Sequence, residues 1–153
     1  MTKIENLHKK SVSQLEKILW ELCKQIVRKI YKDCYTCPQK NLEGMNAQSG
    51  HMHPKGACGA LMKYDLRILR LQCFQCNINH GGMGATYLEN MKLEIGDKQA
   101  LALLLEAQSS KGKPIKARDH YIKLIGDYRK LLSKLNETTN TTGNAEARGK
   151  VAN

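Results

Sequence analysis

The chain has 153 residues, enough for one domain with a modest core, and its 41% hydrophobic content is ordinary for a folded protein. Aromatic residues make up only 5%, so a metal ion stapling the fold would offset part of the roughly 1–2 kcal/mol of backbone entropy lost per ordered residue. A net charge of +11 favours a polyanionic partner over an ordinary solvated surface, and no stretch approaches the ~18 apolar residues of a membrane span.

The charge is uneven along the chain. Residues 1–32 carry eight basic and three acidic side chains, 33–80 five and three, 81–110 two and four, and 111–153 ten and four, so both flanks are basic. Met1 to Lys10 holds no apolar run of the signal-peptide kind. The expected location is therefore intracellular and reducing, where six cysteines signify metal ligation rather than disulfides.

In chain order, Val12, Leu15, Ile18, Leu19, Leu22, Ile26 and Ile30 recur at the spacing of one helical face and predict a helix over 12–31, with Ser13 and Glu16 as its capping box. Lys17, Lys24, Arg28 and Lys29 lie off that stripe and make this a basic helix; each lysine has a solvated face as its plain alternative to a phosphate contact. Helical period vanishes from Tyr31 to His80, where Gly44, Gly50, Pro54, Gly56 and Gly59 punctuate short segments. It resumes through Tyr87, Leu88, Met91 and Ile95. A further helix is expected from a cap at Asp97 through Leu101, Leu104 and Leu105, then a basic linker at Lys111–Pro114. A last helix carries Tyr121, Ile122, Ile125, Tyr128, Leu132 and Leu135. Residues 136–153, rich in Thr, Asn, Gly and Ala, are expected to be a disordered tail beyond a single domain of residues 1–135.

Two Cys-x-x-Cys pairs, Cys34/Cys37 and Cys73/Cys76, carry the strongest chemical signal. Each pair wraps a metal ion in a tight turn and two pairs complete a tetrahedron, so a closed, structural zinc is expected. The 35 residues between the pairs exceed the ~15–20 of a simple paired-knuckle finger and need structure of their own. A treble clef meets that need: the first pair on a knuckle, the insert as a hairpin, and the second pair at the start of a helix. The fold class is thus α+β and mostly helical, a small zinc-bound ββα unit over 32–82 flanked by the helix at 12–31 and by helices over 84–135. Cys58 reads as a small packing residue or a substitute ligand, and Cys23, beside the first helix's stripe, as core.

The insert also carries His51 and His53, two apart and hence on one face if they lie on a strand. Asn77 follows the last cysteine, and a treble clef packs its helix against the hairpin, so His51, His53 and Asn77 are expected to converge, with His80 one turn on. Such a set suits phosphodiester hydrolysis, a histidine taking a proton from water and a divalent cation stabilising the leaving oxygen. The plain alternatives are a surface histidine beside Pro54 and a helix-capping Asn77.

These residues resemble the HNH, or His-metal finger, endonucleases, and within them the phage recombination endonucleases of the NinG/Rap type. The likeness rests on Leu19-Trp20-Glu21-Leu22, Ile26-Val27-Arg28, Cys34-Tyr35-Thr36-Cys37, Gly50-His51 and Gln72-Cys73-Phe74-Gln75-Cys76-Asn77, and covers roughly residues 15 to 90. Phage endonuclease VII looks similar more distantly, through His51-Met52-His53 and the Asn after the last cysteine. The resemblance implies an HNH-type DNA endonuclease, phage-encoded and acting on branched recombination intermediates such as Holliday junctions. It makes His51 the general base, and the spacing of the histidines adds His53 and His80 to the expected catalytic centre. Asn77 and His53 become ligands of a Mg²⁺ or Mn²⁺ ion. Junction resolution needs paired cuts, so it also implies a homodimer.

Two departures stand out. The family's acidic metal ligand beside the His element is replaced here by Gln48-Ser49-Gly50, and the family's central Asn is Ile68, which leaves three alternatives: weak metal affinity, a ligand from elsewhere such as Asp65, or lost activity. Lys55, Lys63, Arg67, Arg70 and Arg28 are the expected DNA-backbone contacts. The competing class is a non-catalytic zinc treble clef that binds nucleic acid or a protein. A sequence-specific transcription factor has no recognition helix to support it.

Overall fold

A computed structural model describes residues 6–113 and 115–149. Among the described residues, four α-helices and two short strands follow in the order α1 (Val12–Ile30), β1 (Gln48–His51), β2 (Leu69–Gln72), α2 (Gly84–Ile95), α3 (Asp97–Ser109) and α4 (Ala117–Gly149), with short 3₁₀ or π turns before α1 and in the segments from α1 to α2. The class is mostly helical α+β, as the patterning predicts.

Helix α1 starts at Val12 as expected, but its capping box lies two residues before the expected one. Ser11 caps it, its hydroxyl accepting from the Gln14 backbone N–H at 3.2 Å while the Gln14 side chain accepts from the Ser11 N–H at 2.8 Å. Ser13 is already inside the helix, and Glu16 is turned inward to Lys63 and Tyr121. Leu15, Leu19, Leu22, Cys23, Ile26 and Val27 are buried on the inner face of α1, whereas Val12 and Ile30 at its ends are exposed. Burying each large aliphatic side chain contributes roughly 1.5–3 kcal/mol. Their main partner is α4, through Tyr121, Ile125 and Tyr128; the Tyr128 hydroxyl donates to the Tyr64 carbonyl at 2.6 Å and Tyr121 packs edge-on to Tyr64.

The two strands pair antiparallel, Gln48 opposite Gln72 and His51 opposite Leu69, so the insert between the cysteine pairs does fold as a two-stranded unit. Strand alternation puts Ser49, His51, Leu69 and Leu71 on the face toward α1, and Gly50, Arg70 and Gln72 on the face toward α2. Gly50 is obligatory there. A Cβ at this position would lie 1.8 Å from Oε1 of Gln72, whose amide is pinned by donation to Thr36 Oγ1 and the Gly82 carbonyl, both at 2.9 Å.

Beyond β2 the expected helix is reduced to a π turn, Gln75–Asn79, because Gly81, Gly82 and Met83 all take positive φ and break the chain before α2. Tyr87 and Met91 of α2 join Met52, Cys58, Met62 and Ile68 in a second core cluster. The fully buried Tyr87 hydroxyl lies 3.0 Å from the Ile68 carbonyl and 3.3 Å from that of Gly50, clamping the ends of both strands. Arg70, only 5% exposed, ties β2 to α2: Nε and Nη2 hold the Glu94 carboxylate at 3.1 and 2.9 Å, and Nη1 donates to backbone carbonyls, including that of Leu69 at 2.8 Å.

Two helical expectations need correction. On α3, Gly96 rather than Asp97 occupies the cap position, and the buried face is Ala100, Leu103 and Ala107, small enough for close approach to α2; Leu101 and Leu105 are exposed. On α4, the chain does not end its helix at Leu135. It continues helical through Gly149, with no proline to stop it and with the Thr138 and Thr139 hydroxyls donating back to the Lys134 and Leu135 carbonyls. The tail's last four residues, and Pro114 of the linker, lie outside the described residues.

Tyr87→Phe deletes one buried donor and leaves two strand-end carbonyls without it. Urea denaturation should register a loss of about 1–2 kcal/mol with an unchanged slope.

Candidate metal centre and adjoining cleft

The four cysteines of the two pairs converge. Their sulfurs all lie within 4.8 Å of one another, and Cys37 and Cys73 are 3.7 Å apart, close to the ~3.8 Å edge of a tetrahedron built on ~2.3 Å zinc–sulfur bonds. Burial works against ionising Cys34, but the Cys73 backbone N–H at 3.3 Å, the Thr36 backbone N–H and neighbouring side chains outweigh it and draw that thiol down to about 6. Cys37 goes the other way: desolvation and the adjacent thiols push it up to about 12. Four thiolates cannot coexist here without a cation between them, and this all-sulfur, mostly buried donor set suits zinc. Cys23 and Cys58 stand apart. Each is buried, with its thiol 3.6 Å from a backbone carbonyl, that of Tyr64 and of His53 respectively, and burial raises both, Cys23 to about 12.

One turn past the metal centre, two adjoining cavities of about 340 and 680 Å³ share Trp20, Ser49, Lys55, Asn77 and Ile78. His51 lines the first; Lys24, Arg28 and Gln48 line the second. His51 and Asn77 are therefore brought to one cleft. The cleft has α1 as one wall, β1 as its floor, and the π turn with Gly81 and Gly82 as the other wall.

His51 is held on two sides. Its Nε2 lies 2.9 Å from the Lys63 carbonyl, and its ring stacks on Trp20 at 5.3 Å between centroids with 24° between planes. Because a carbonyl only accepts, Nε2 carries the proton, which assigns Nδ1 as the ring's acceptor. Burial, reinforced by the Lys55 charge and opposed by the Lys63 carbonyl, lowers His51 to about 4, so the imidazole is neutral at pH 7. The Lys55 ammonium sits 3.9 Å over the Trp20 ring and 5.4 Å from that of Tyr64. Asn77 does not cap its turn with its side chain; Asn46 does that work, accepting the Phe74 N–H at 2.9 Å.

Several expected site residues are not assembled. His53 misses the cleft because β1 ends at His51 and the chain bends, so the two histidines do not share a strand face. His80 is exposed and faces Gln75 at 3.2 Å instead. Asp65 is taken by Arg67, which also binds Glu106 at 2.9 Å. Arg70 is buried on Glu94, and Lys63 is paired with Glu16 at 3.2 Å, so of the expected backbone contacts only Lys55 and Arg28 line the cleft. Arg28 is fixed at the rim by two bonds to the Ala47 carbonyl, 3.0 and 2.9 Å.

Trp20 and Lys24 are the residues that sequence reasoning passed over as site members. The available signal was the chain's single tryptophan sitting just off a buried stripe on a basic helix.

A divalent ion of the Mg²⁺ type does not fit this cleft. Such ions take oxygen ligands with carboxylates among them, and the lining offers the Asn77 and Gln48 amides and the Ser49 hydroxyl but no carboxylate. Position 50 cannot supply one on this backbone, since its side chain would point away from His51 and into Gln72.

The chain matches no family model, and neither a curated protein nor a solved structure matches it. Among the described residues no helix is long and apolar enough to cross a membrane.

Native mass spectrometry should find one zinc per chain, and chelation or Cys73→Ser should lower the melting temperature sharply, since apparent zinc binding in small modules is worth about 10–16 kcal/mol. In a two-dimensional NMR titration, the His51 ring should hold its neutral chemical shifts down to about pH 4, well below the ordinary histidine value; a midpoint near the ordinary value would contradict the buried, carbonyl-bound geometry.

Proposed function

We propose that the protein is a zinc-braced endonuclease of the HNH type that hydrolyses phosphodiesters in branched DNA. The observation that carries this reading is the state of His51: a neutral imidazole with its proton committed to the Lys63 carbonyl, lining one cleft with Asn77 and Lys55. The geometry leaves Nδ1 unprotonated at pH 7 and able to take the proton of a water attacking phosphorus, as a weaker base than an ordinary imidazole. The order of knuckle, strand pair and turn around the four cysteines supports a treble-clef unit, with the zinc acting as a brace and taking no part in the chemistry. Lys24, Arg28 and Lys55 along the cleft suit a DNA backbone, and contacts of this kind carry no base information. Selection by the shape of a junction follows naturally from such contacts, and paired cuts would take two copies of the chain.

A second reading, a non-cleaving nucleic-acid-binding protein, is favoured by one observation, the absence of a carboxylate from the cleft lining.

Incubation with a four-way junction and with a matched duplex, with and without Mg²⁺ or Mn²⁺, separates the two. The nuclease reading expects preferential cleavage of the junction and a loss of at least ~10²-fold in rate for His51→Ala at unchanged binding. Binding without any cleavage, or equal cleavage by His51→Ala, would sink it in favour of the second.

A further inference from the structure

We infer that Lys55 supplies, at the leaving oxygen, the positive charge and the proton that a divalent ion and its bound water would otherwise provide. This rests on the nuclease reading above and assigns Lys55 as a catalytic residue in it.

Three observations converge on this lysine. It lines both halves of the cleft together with Asn77, and the half that holds His51 is one of them. Its charge is uncommitted: among the described residues Lys63, Arg67 and Arg70 are each paired with a carboxylate, whereas the Lys55 ammonium forms no ion pair and lies against the faces of Trp20 and Tyr64. Aromatic faces attract a cation without neutralising it, so the charge remains available to a phosphate. Its backbone is also fixed. Pro54 precedes it with φ −49°, and the Cys58 N–H is shared between the Pro54 and Lys55 carbonyls at 3.2 Å each.

The cleft lining holds no carboxylate, and the two acidic side chains nearest in role, Asp65 and Glu16, are engaged elsewhere. Asp65 is bound by Arg67, Glu16 by Lys63 and Tyr121, and position 50 is closed by Gln72. A fixed ammonium in a partly desolvated cleft, in the half that also holds His51, can stabilise the charge that develops on the phosphoryl and leaving oxygens, whereas Arg28 and Lys24 line only the other half. Desolvation, aided by the Lys63 charge, lowers the Lys55 pKa, which makes it a better proton donor than a surface lysine.

The step balances as follows in atoms and electrons. Water forms a bond to phosphorus while one of its protons passes to Nδ1 of His51. The bond from phosphorus to the leaving oxygen breaks, its electron pair stays on that oxygen, and the oxygen takes a proton from the Lys55 ammonium. His51 then gives its proton to solvent and Lys55 regains one, so the net change is the addition of one water across one phosphodiester bond.

The test uses the zinc-loaded full chain on a four-way junction, in buffer freed of Mg²⁺ and Mn²⁺ and again with Mg²⁺ added. Zinc content, circular dichroism and junction affinity are followed in parallel. Wild type should cleave at a similar rate in both buffers. Lys55→Met should lose on the order of 10²-fold in kcat while keeping zinc, fold and affinity within a few-fold. Lys55→Arg keeps the charge but holds its proton at any working pH, and should recover only part of the rate. Strict dependence on added Mg²⁺ overturns the assignment of Lys55 and leaves the nuclease reading standing, as does a Lys55→Met rate equal to wild type. No cleavage in either buffer overturns both. Should Lys55→Met fail to fold, the metal dependence of the wild-type chain alone decides.

Discussion

Everything distinctive in this molecule hangs on the meeting of Cys34 and Cys37 with Cys73 and Cys76. The first pair ends the segment that follows α1, and the second ends β2, so one tetrahedron joins two parts of the chain that the aromatic-poor core alone would hold weakly. The same junction fixes where the chain goes next. Cys76 belongs to this cluster, and Asn77 and Ile78, which directly follow it, line the cleft together with Ser49 and His51 of β1.

Around this centre the packing divides its work between the two faces of a very small sheet. One face is covered by α1 and braced by α4; the other is covered by α2 and held by Tyr87 and Arg70, whose polar atoms are satisfied by strand carbonyls and Glu94. A buried arginine of this kind contributes little net stability relative to an apolar side chain of the same size. Its value is geometric, since it sets α2 against β2 and thereby fixes Gly82, which in turn anchors the Gln72 amide beneath the cleft.

The sequence made the metal centre legible because ligand spacing within a knuckle is a local property, and it made the His51 and Asn77 meeting legible because both flank the same tetrahedron. Lys55, by contrast, is in the sequence one basic residue among several. What distinguishes it from Arg67 and Arg70 is the location of Glu106 and Glu94, on helices 39 and 24 residues away, and no local pattern reveals that pairing. The Trp20 platform was hidden for the same reason, depending on how α1 crosses β1. His53 would share a face with His51 only if the strand continued, and the strand stops at His51. The leucines of α3 point outward because alanines, which carry little hydrophobic weight in a pattern, make the closer helix contact.

The two-faced sheet has an electrical consequence. Helices α1, with Lys17, Lys24, Arg28 and Lys29 against Glu16 and Glu21, and α4, with Arg118, Lys123, Arg129, Lys130 and Lys134 against Asp119, Asp127 and Glu137, pack together on one side, while α2 and α3, with Glu89, Glu94, Asp97 and Glu106 against Lys92 and Lys98, pair on the other. The molecule is therefore polarised across its own thickness. In the field of any extended polyanion it feels a torque as well as an attraction, and it turns the α1 side, where the cleft opens, toward that partner before contact. Such pre-orientation weakens as the Debye length shrinks, to about 8 Å at physiological ionic strength, so added salt would scramble the angle of approach as well as slow the encounter.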